Sequence, residues 1–327
     1  MKLVRRKFLT LAGGAVVATA LPKFAIAMDY PSRPPRIIVG FAPGGVTDIG
    51  ARMIGQWLSD HLGQPFPIEN KPGAGTQIAA ETVAHAPADG YTLLMSSSTN
   101  AINVTFFTKH NYDFVLDITP VAGVMRFPLV LVAHPSVPVK NVAELISYVK
   151  AHPGELNLAS FGYGTGSHLA GEMFKMMVGI KMTHVPYRGS APMLVDLIGG
   201  HVQAAFDNLP SSIEHIKTGK LKALAVTTAT RLDILPDIPA LHETVPNYEA
   251  SSWIGVSAPA GTPTEIVDKL NKQINAGLLD PKIKEKIAHM SAVALPGSAA
   301  DFGRLIAQDV QKWAKVIRTA NITLSQT

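Results

Sequence analysis

The feature that most constrains the fold is the alternation of short β-branched runs with longer segments of helical periodicity. Residues 36–40 are predicted to form a strand, residues 41–45 a Gly-rich turn, and residues 46–62 a helix with apolar residues every three or four positions. The same order of strand, turn and helix returns along the chain. Because this alternation is typical of parallel sheets joined by crossover helices, the sequence predicts an α/β fold.

The remaining pattern predicts a chain of two lobes. Further strands are expected at residues 66–69, 92–95, 129–133, 156–160, 182–185, 202–206, 223–227 and 253–257, and further helices at residues 76–84, 142–150, 167–178, 193–198, 266–278 and 302–317. About 300 residues are more than one hydrophobic core usually organises. Crossings near residues 121–127 and 251–259 would give a first lobe of residues 28–124 and 253–327 and a second lobe of residues 125–252.

The first 27 residues have the features of an export signal. A basic start precedes an apolar run at residues 8–21, which is too short to span a bilayer, and Ala25-Ile26-Ala27 has the small-x-small form of a cleavage site. The pair Arg5-Arg6 resembles the twin-arginine pattern. We expect cleavage after Ala27 and a periplasmic location, with an N-terminal amphipathic helix as the alternative.

Removal of this segment changes the charge of the protein. It contains five of the 29 basic residues and none of the 24 acidic ones, so the mature chain carries 24 of each. We therefore expect no nucleic-acid partner, because such a partner needs a basic face on the folded domain. The chain has no Cys, which excludes disulfides, thiolate catalysis and a cysteine-linked lipid anchor.

Three Gly-rich turns, at residues 41–48, 160–168 and 185–190, each connect a strand to a helix. Glycine lets the backbone adopt a positive φ and approach a ligand closely. The free N–H groups at a helix start favour an anion, although a single turn of this kind is more often a plain connector. None of the three has the pattern of a dinucleotide fingerprint, a phosphate loop or a nucleophile elbow.

The titratable residues give weaker signals. The eleven His residues show no pair at metal-ligand spacing, so neither a metal nor a cofactor is predicted. Asp207 follows a strand and precedes a helix, where it is as consistent with a capping region as with a ligand-facing side chain. Asp48 lies in the first turn of its own predicted helix, which an acidic residue stabilises. Residues 96–100 could contribute specificity or form a solvated loop.

Eight segments resemble, in order, the landmarks of one protein family. They are FAPGGVTD at residues 41–48, NKPGAG at 70–75, DGYTL at 89–93, PGEL at 153–156, HVPYRG at 184–189, FDNLPS at 206–211, KALAV at 222–226 and APAGTP at 258–263. The family comprises the periplasmic substrate-binding receptors of tripartite tricarboxylate transporters, also called the Bug family. The resemblance covers essentially the whole mature chain.

The resemblance implies a two-lobed periplasmic-binding-protein fold of the type II Venus-flytrap class, with a hinge crossed twice, that closes on a small organic mono- or dicarboxylate. In that family, backbone groups and bridging waters hold the carboxylate. Carried onto this chain, the binding positions are Phe41, Ala42, Gly44 and Gly45, faced by Gly164, Thr165 and Ser167, with Asp48, Tyr187, Arg188 and Asp207 around the cavity.

The resemblance also implies a monomeric receptor that delivers its ligand to integral-membrane transporter subunits or to a sensor kinase and catalyses no reaction. The alternative is a secreted α/β hydrolase that acts on carboxylated substrates. That alternative is weaker, because no set of nucleophile, base and orienting residue can be assembled from the motifs.

Overall fold

The computed structural model describes residues 30–107, 109, 111–319 and 322. The predicted export signal, residues 1–27, therefore lies outside the described residues. Within the described part of the chain, strands and helices alternate as the sequence predicts, and the α/β class is confirmed. None of the described helices is both long enough and apolar enough to span a bilayer.

Ten strands and ten α-helices occur in the described residues. The strands are β1 (Arg36–Val39), β2 (Ile68–Asn70), β3 (Thr92–Ser97), β4 (Ile118–Ala133), β5 (Asn157–Ser160), β6 (Thr183–Pro186), β7 (Ala204–Asn208), β8 (Lys222–Val226), β9 (Ser251–Pro259) and β10 (Val293–Ala294). The helices are α1 (Val46–Leu62), α2 (Gln77–Ala84), α3 (Ser98–Phe106), α4 (Val142–Ala151), α5 (Gly166–Val178), α6 (Ser190–Ile198), α7 (Leu209–Lys217), α8 (Thr264–Leu279), α9 (Pro281–His289) and α10 (Ala299–Thr319).

The strands follow the order β2-β1-β3-β9-β4-β7-β5-β6, with β8 and β10 added along β4. The first half of the sheet comprises β1, β2, β3, β10 and the paired parts of β4 and β9. The second half comprises β5 to β8 and the end of β4. Strands β2, β1 and β3 are parallel to one another, and so are β7, β5 and β6, as predicted. In the middle of the sheet, however, the neighbouring pairs β3–β9, β9–β4 and β4–β7 are antiparallel. The expectation of parallel strands is wrong there, because β4 and β9 cross between the halves rather than close a strand–helix–strand unit.

Strands β4 and β9 form a hinge ribbon, which pairs from Ile118 with Pro259 to Pro128 with Ser251. Two register shifts place an extra residue in β4, at Val121 and at Val124. Such bulges leave a backbone group without a ladder partner. Here both carbonyl groups are satisfied: Asn271 Nδ2 donates to Val121 O at 2.8 Å, and Leu295 N–H donates to Val124 O at 3.0 Å.

Each half has its own apolar core. In the first half, Ile38, Leu94 and Phe302 pack around Trp253, whose Nε1 donates to Asp309 Oδ2 at 2.6 Å. In the second half, the buried side chains of β4 and β7 pack against α6 and α7. The last seven residues of β4 are all buried, which is typical of a strand covered by helices on both faces.

Helix α3 is the main element that the sequence pattern did not predict. It starts with Ser98, Thr99 and Asn100, which are residues that favour caps and turns. Asn100 makes the helix start possible, because its Oδ1 accepts the N–H of Ser97 at 2.9 Å. Residues 96–100 are all buried, so the solvated-loop alternative is wrong.

Candidate functional site

A cavity of about 20 Å³ lies between the two halves of the sheet, and we call it the inner cavity. Its walls come from three sources: the starts of α1 and α3, the second half, and the hinge ribbon. The lining residues are Phe41, Gly45, Val46, Thr47, Ser97, Ser98, Thr99, Phe127, Phe161, Ser190, Asn208, Ser252, Trp253 and Ile254. This volume has room for about one water molecule and is well below the roughly 300–1,000 Å³ of ligand pockets, so a carboxylate requires the two halves to lie farther apart.

Three helices begin at the inner cavity without a side-chain cap. Their N-cap residues are Gly45 for α1, Gly189 for α6 and Asn208 for α7, and none of these residues makes a side-chain capping bond. In contrast, Asn141 caps α4 and Thr165 caps α5. Because the first N–H groups of a helix have no intrahelical partner, the helices at the cavity present free donors and the positive end of their dipoles.

None of the described residues that line the inner cavity is charged. An anion in the cavity would therefore be stabilised by helix dipoles and neutral hydrogen-bond donors rather than by an ion pair. Two buried polar atoms of the lining residues, Ser252 Oγ and Asn208 Oδ1, have no hydrogen-bond partner among the described residues. The chemistry of the cavity is thus that of a neutral, donor-rich anion site.

The first Gly-rich turn is held in shape by Asp48, which is buried. Its carboxylate accepts the N–H of Gly44 at 2.9 Å, Nδ2 of Asn70 at 3.0 Å and Nε of Arg52 at 3.0 Å. Burial alone would raise the pKa of Asp48, but the hydrogen bonds from Arg52, Gly44 and Asn70 outweigh burial and leave the pKa below its ordinary value. Asp48 therefore orients the turn, and it does not line the inner cavity.

The structure brings the third Gly-rich turn against the first. Gly189 lies so close to Ala42 that a Cβ at this position would stand 3.2 Å from the Ala42 nitrogen, and its φ of +146° also favours glycine. The side chain of Arg188 is exposed. Tyr187 is directed toward α6, since its hydroxyl donates to Asp196 Oδ2 at 2.7 Å.

An outer cleft of about 550 Å³ adjoins the inner cavity. It is lined on one side by residues 72–76 and on the other by Tyr163, Tyr187 and Arg188. Phe41 and Phe161 line both spaces, and their rings meet edge to face with centroids 5.8 Å apart. One ring comes from each half of the sheet, so this aromatic pair is the wall between cavity and cleft.

Apart from Phe161, which lines the inner cavity, the second Gly-rich turn packs against α3 or faces the outer cleft. A Cβ at Gly164 would stand only 2.4 Å from Asn103 Oδ1, and the φ of Gly164 is +65°. Thr165 caps α5 by accepting the N–H of His168, and Ser167 donates to the carbonyl oxygen of Phe206. These contacts explain why small residues are required in the turn.

Asp207 is completely buried beside the cavity wall. Ser190 Oγ donates to its Oδ1 at 2.7 Å, and Ser212 Oγ donates to its Oδ2 at 2.6 Å. Burial raises the pKa of Asp207 to about 6, although both serine hydrogen bonds favour the charged form. Asp207 thus fixes the start of α6, where Ser190 lines the cavity.

Among the described residues, His168, Glu172 and His184 come closest to a metal-ligand set, with ligand atoms within 4.8 Å of one another. The two imidazole rings are stacked at 4.2 Å, so their lone pairs do not converge. Gly164 N–H donates to Nδ1 of His168 at 3.2 Å, which leaves the proton on Nε2 in the neutral ring. Lys175 already pairs with Glu172 at 2.7 Å. This arrangement favours a buried neutral histidine pair over a metal site.

The eleven residues proposed from the sequence are thus divided among five places. Phe41 and Gly45 line the inner cavity, and Ala42 and Gly44 belong to the same turn. The other seven, Asp48, Gly164, Thr165, Ser167, Tyr187, Arg188 and Asp207, lie in the supporting network, the second turn, the outer cleft or the cavity wall. Their ligand contacts stay a prediction.

The site residues proposed from the sequence do not include Ser98, Thr99, Ser190 or Ser252, although Ser98 and Thr99 lie in the segment at residues 96–100 that is one candidate source of specificity. The first three share a signal that could have found them: each is a small polar residue in the first turn of a helix that follows a strand. Ser252 offers no such signal, because it lies inside a strand.

Comparison with known proteins gives consistent matches along the chain. The model of the family described as "Tripartite tricarboxylate transporter family receptor" matches residues 50–322. Protein BugT of Bordetella pertussis is 38% identical over 315 residues, which cover 95% of this chain and 97% of BugT. A UPF0065 protein from the tcbD-tcbE intergenic region of Pseudomonas sp. strain P51 is 33% identical over 319 residues, covering 97% of this chain and 95% of that protein.

Solved structures show the same similarity. R. palustris Rpa4515 with adipate has a TM-score of 0.87 and 42% identity, over 90% of this chain and 99% of that chain. The periplasmic binding protein BugD has a TM-score of 0.87 and 35% identity, over 90% and 99%. MatC from Rhodopseudomonas palustris with bound malate has a TM-score of 0.85 and 32% identity, over 88% and 100%. These similarities confirm the predicted periplasmic-binding-protein fold.

Proposed function

Because the chain belongs to the family of tripartite tricarboxylate transporter receptors, we propose that it is a periplasmic solute-binding protein that captures a small organic carboxylate between two lobes. The observation that carries this proposal is the inner cavity, where three uncapped helix starts meet and no described lining residue is charged. The family consists of receptors and not of enzymes, so the hydrolase alternative is set aside.

The cavity suits a carboxylate for physical reasons. Each of the three helices leaves N–H donors at its start, and an unmade cap typically costs about 1 kcal/mol per helix. A carboxylate accepts several hydrogen bonds at once and interacts favourably with the helix dipoles. The adipate and malate in the related structures support a ligand of this class.

The lobes of the proposed receptor are residues 28–124 with 253–327, and residues 125–252. They correspond closely to the two halves of the sheet, which the hinge ribbon connects. A ligand that contacts both lobes binds the closed form more tightly and therefore shifts the population toward it. The meeting of Phe41 with Phe161, and of the first turn with the third, is the contact set that such closure would produce.

Binding and turnover can be separated with the mature chain, residues 28–327. Malate and adipate should raise its midpoint of thermal unfolding, since a ligand at a hundred times its Kd stabilises by about 2.7 kcal/mol. The corresponding diamides, which lack the negative charge, are the matched controls and should give little shift. Recovery of unchanged acids supports a receptor. Chemical conversion of the acids, or no shift with any carboxylate tested, would overturn the proposal.

The remaining parts of the proposal concern export and partners. The receptor works as a monomer and delivers its ligand to integral-membrane transporter subunits or to a sensor kinase. It is exported by residues 1–27 and cleaved after Ala27. Combined Arg5→Lys and Arg6→Lys substitutions should leave the full-length precursor in the cytoplasm. Normal appearance of the mature chain in the periplasm would contradict the twin-arginine route.

A further inference from the structure

Two polar side chains of the inner cavity have atoms that the protein leaves unsatisfied. Ser252 and Asn208 are both buried, with 4% and 6% of their surfaces exposed. Ser252 Oγ and Asn208 Oδ1 have no hydrogen-bond partner within the described part of the chain, although both residues line the cavity. Most buried polar atoms in native proteins are hydrogen-bonded, so two such atoms in one small cavity call for an explanation.

Asn208 is the N-cap residue of α7, a position at which an Asn side chain ordinarily caps the helix. Asn at an N-cap accepts the N–H of the second or third helical residue. In α7 the second helical residue is Pro210, which has no N–H, and the Asn208 side chain makes no capping bond. The amide group is therefore available to a ligand in the cavity.

Ser252 lies on the hinge ribbon and pairs with Phe127, which also lines the inner cavity. The space beside its hydroxyl depends on Gly166 at the start of α5. A Cβ at Gly166 would stand 3.0 Å from Ser252 Oγ. Glycine at this position thus keeps the hydroxyl uncovered by protein atoms.

An unsatisfied buried polar group destabilises a folded protein, whereas an apolar group of the same shape costs little. Alanine at position 252 would therefore stabilise the ligand-free fold at least as well as serine. The two groups also complement a hydroxyl, because Asn208 Oδ1 can accept a proton that a ligand O–H donates, and Ser252 O–H can donate to a ligand oxygen.

We infer that Ser252 and Asn208 are specificity-determining residues that bind a hydroxyl group of the ligand, and that the ligand is a short hydroxycarboxylate. This inference rests on the proposed function, in which the helix starts hold the carboxylate. The small volume of the inner cavity, about 20 Å³, favours a short ligand over a long one.

The test uses acids that differ by one hydroxyl: malate with succinate, and lactate with propionate. Calorimetric titration of the mature protein should show tighter binding of the hydroxylated acid of a pair, by about tenfold, which corresponds to 1.4 kcal/mol. Ser252→Ala and Asn208→Ala should each reduce this preference to about threefold or less.

Thermal unfolding of the ligand-free variants separates ligand binding from a structural role. Ser252→Ala removes an unsatisfied hydroxyl, so its unfolding midpoint should equal or exceed that of the wild type. Ser211→Ala is the matched control, because Ser211 Oγ is also buried without a partner but does not line the cavity. This control should keep the full preference for the hydroxylated acids.

The outcomes are distinct. Equal affinity for both acids of each pair, an unchanged preference in Ser252→Ala and Asn208→Ala, or a preference lost equally in Ser211→Ala overturns the inference. Binding of adipate without binding of any of the four shorter acids overturns the inference and leaves the proposed function standing. If adipate and all four acids fail to bind, the proposed function itself is wrong.

Discussion

The backbone N–H of Ala42 donates a hydrogen bond of 3.0 Å to the carbonyl oxygen of Arg188. This bond joins the first Gly-rich turn to the third and thereby connects the two halves of the sheet. It involves backbone atoms only, so it is independent of the Arg188 side chain. The neighbouring Gly189 allows the approach, because it has no Cβ that would face Ala42.

Substitution Gly189→Ala should therefore weaken carboxylate binding by about tenfold or more. The new Cβ would stand 3.2 Å from the Ala42 nitrogen and would hold the two turns apart. Calorimetric titration measures the affinity, and small-angle scattering with ligand measures whether the variant stays more extended than the wild type.

Gly154→Ala is the matched control for backbone strain. Gly154 has a φ of +83°, and a Cβ there would have no heavy atom within 4 Å. A non-glycine residue at positive φ costs roughly 1–3 kcal/mol of stability wherever it lies. Equal losses of affinity in Gly154→Ala and Gly189→Ala would contradict a role for the contact between the turns.

Arg188→Ala should change the Kd for a carboxylate by less than about threefold. Its side chain is exposed and lines the outer cleft, and not the inner cavity. Gly44→Val should instead abolish measurable binding, since Gly44 has a φ of +88° in the turn that precedes α1. Titration of both variants, with circular dichroism to verify folding, makes the comparison. The reverse ranking would mean that Arg188 forms an ion pair with the ligand.

Asp207→Asn should change how stability depends on pH. Burial raises the pKa of Asp207 from 3.8 to about 6, so the folded chain binds this proton more readily than the unfolded chain. The resulting stabilisation is complete below pH 3.8 and is lost as the pH rises through about 6. Relative to the wild type, the variant should gain up to about 3 kcal/mol in its free energy of unfolding between those limits.

Urea denaturation of both proteins at the two ends of this range gives the measurement. A difference in unfolding free energy that does not vary with pH would show that Asp207 titrates alike in the folded and unfolded chain. Ser211→Ala, on the same helix as Ser212, serves as a control that removes no titrating group.

His184→Gln should make the protein less sensitive to acid. Burial, and then the charge of Lys175, lowers the pKa of His184 from 6.5 to about 4. Because the folded form excludes the proton, stability is fully present above pH 6.5 and is lost as the pH falls toward 4. Gln can retain the 2.7 Å contact that His184 Nε2 makes with Ser160 Oγ, but it does not titrate.

Between these limits the wild type should lose about 1.4 kcal/mol per pH unit more than His184→Gln. Thermal or urea unfolding across the range tests this, with His289→Gln as the control because the ring of His289 is largely exposed. An identical slope in wild type and His184→Gln would show that His184 titrates alike in the folded and unfolded chain.

Local patterns predicted the first Gly-rich turn well. The strand, the turn and α1 follow from periodicity within about 30 residues, and Phe41 and Gly45 do line the inner cavity. Helix α3 escaped prediction because its first residues are polar and are buried only in the tertiary fold. Asn100, for example, donates to Thr76 Oγ1 at 3.0 Å, which is a contact between distant segments.

Pairing of the turns also depends on long-range structure. The second and third turns have the same local order of strand, Gly-rich loop and helix, and the sequence does not distinguish which of them contacts the first turn. That choice follows from the strand order β7-β5-β6, which places the turn after β6 beside Ala42. Ser252 was missed for a related reason. The local sequence predicts the strand that contains Ser252, but the space around its hydroxyl depends on how the start of α5 packs against that strand.

The two bulges of β4 have a mechanical consequence. Asn271 and Leu295 fasten the carbonyl groups at Val121 and Val124 to the first half. Phe127 and Ser252, which pair beyond the bulges, belong both to the ribbon that connects the halves and to the lining of the inner cavity. If the receptor opens as proposed, we therefore expect any bending of this stretch to change the shape of the cavity, so that opening and loss of ligand contacts are coupled.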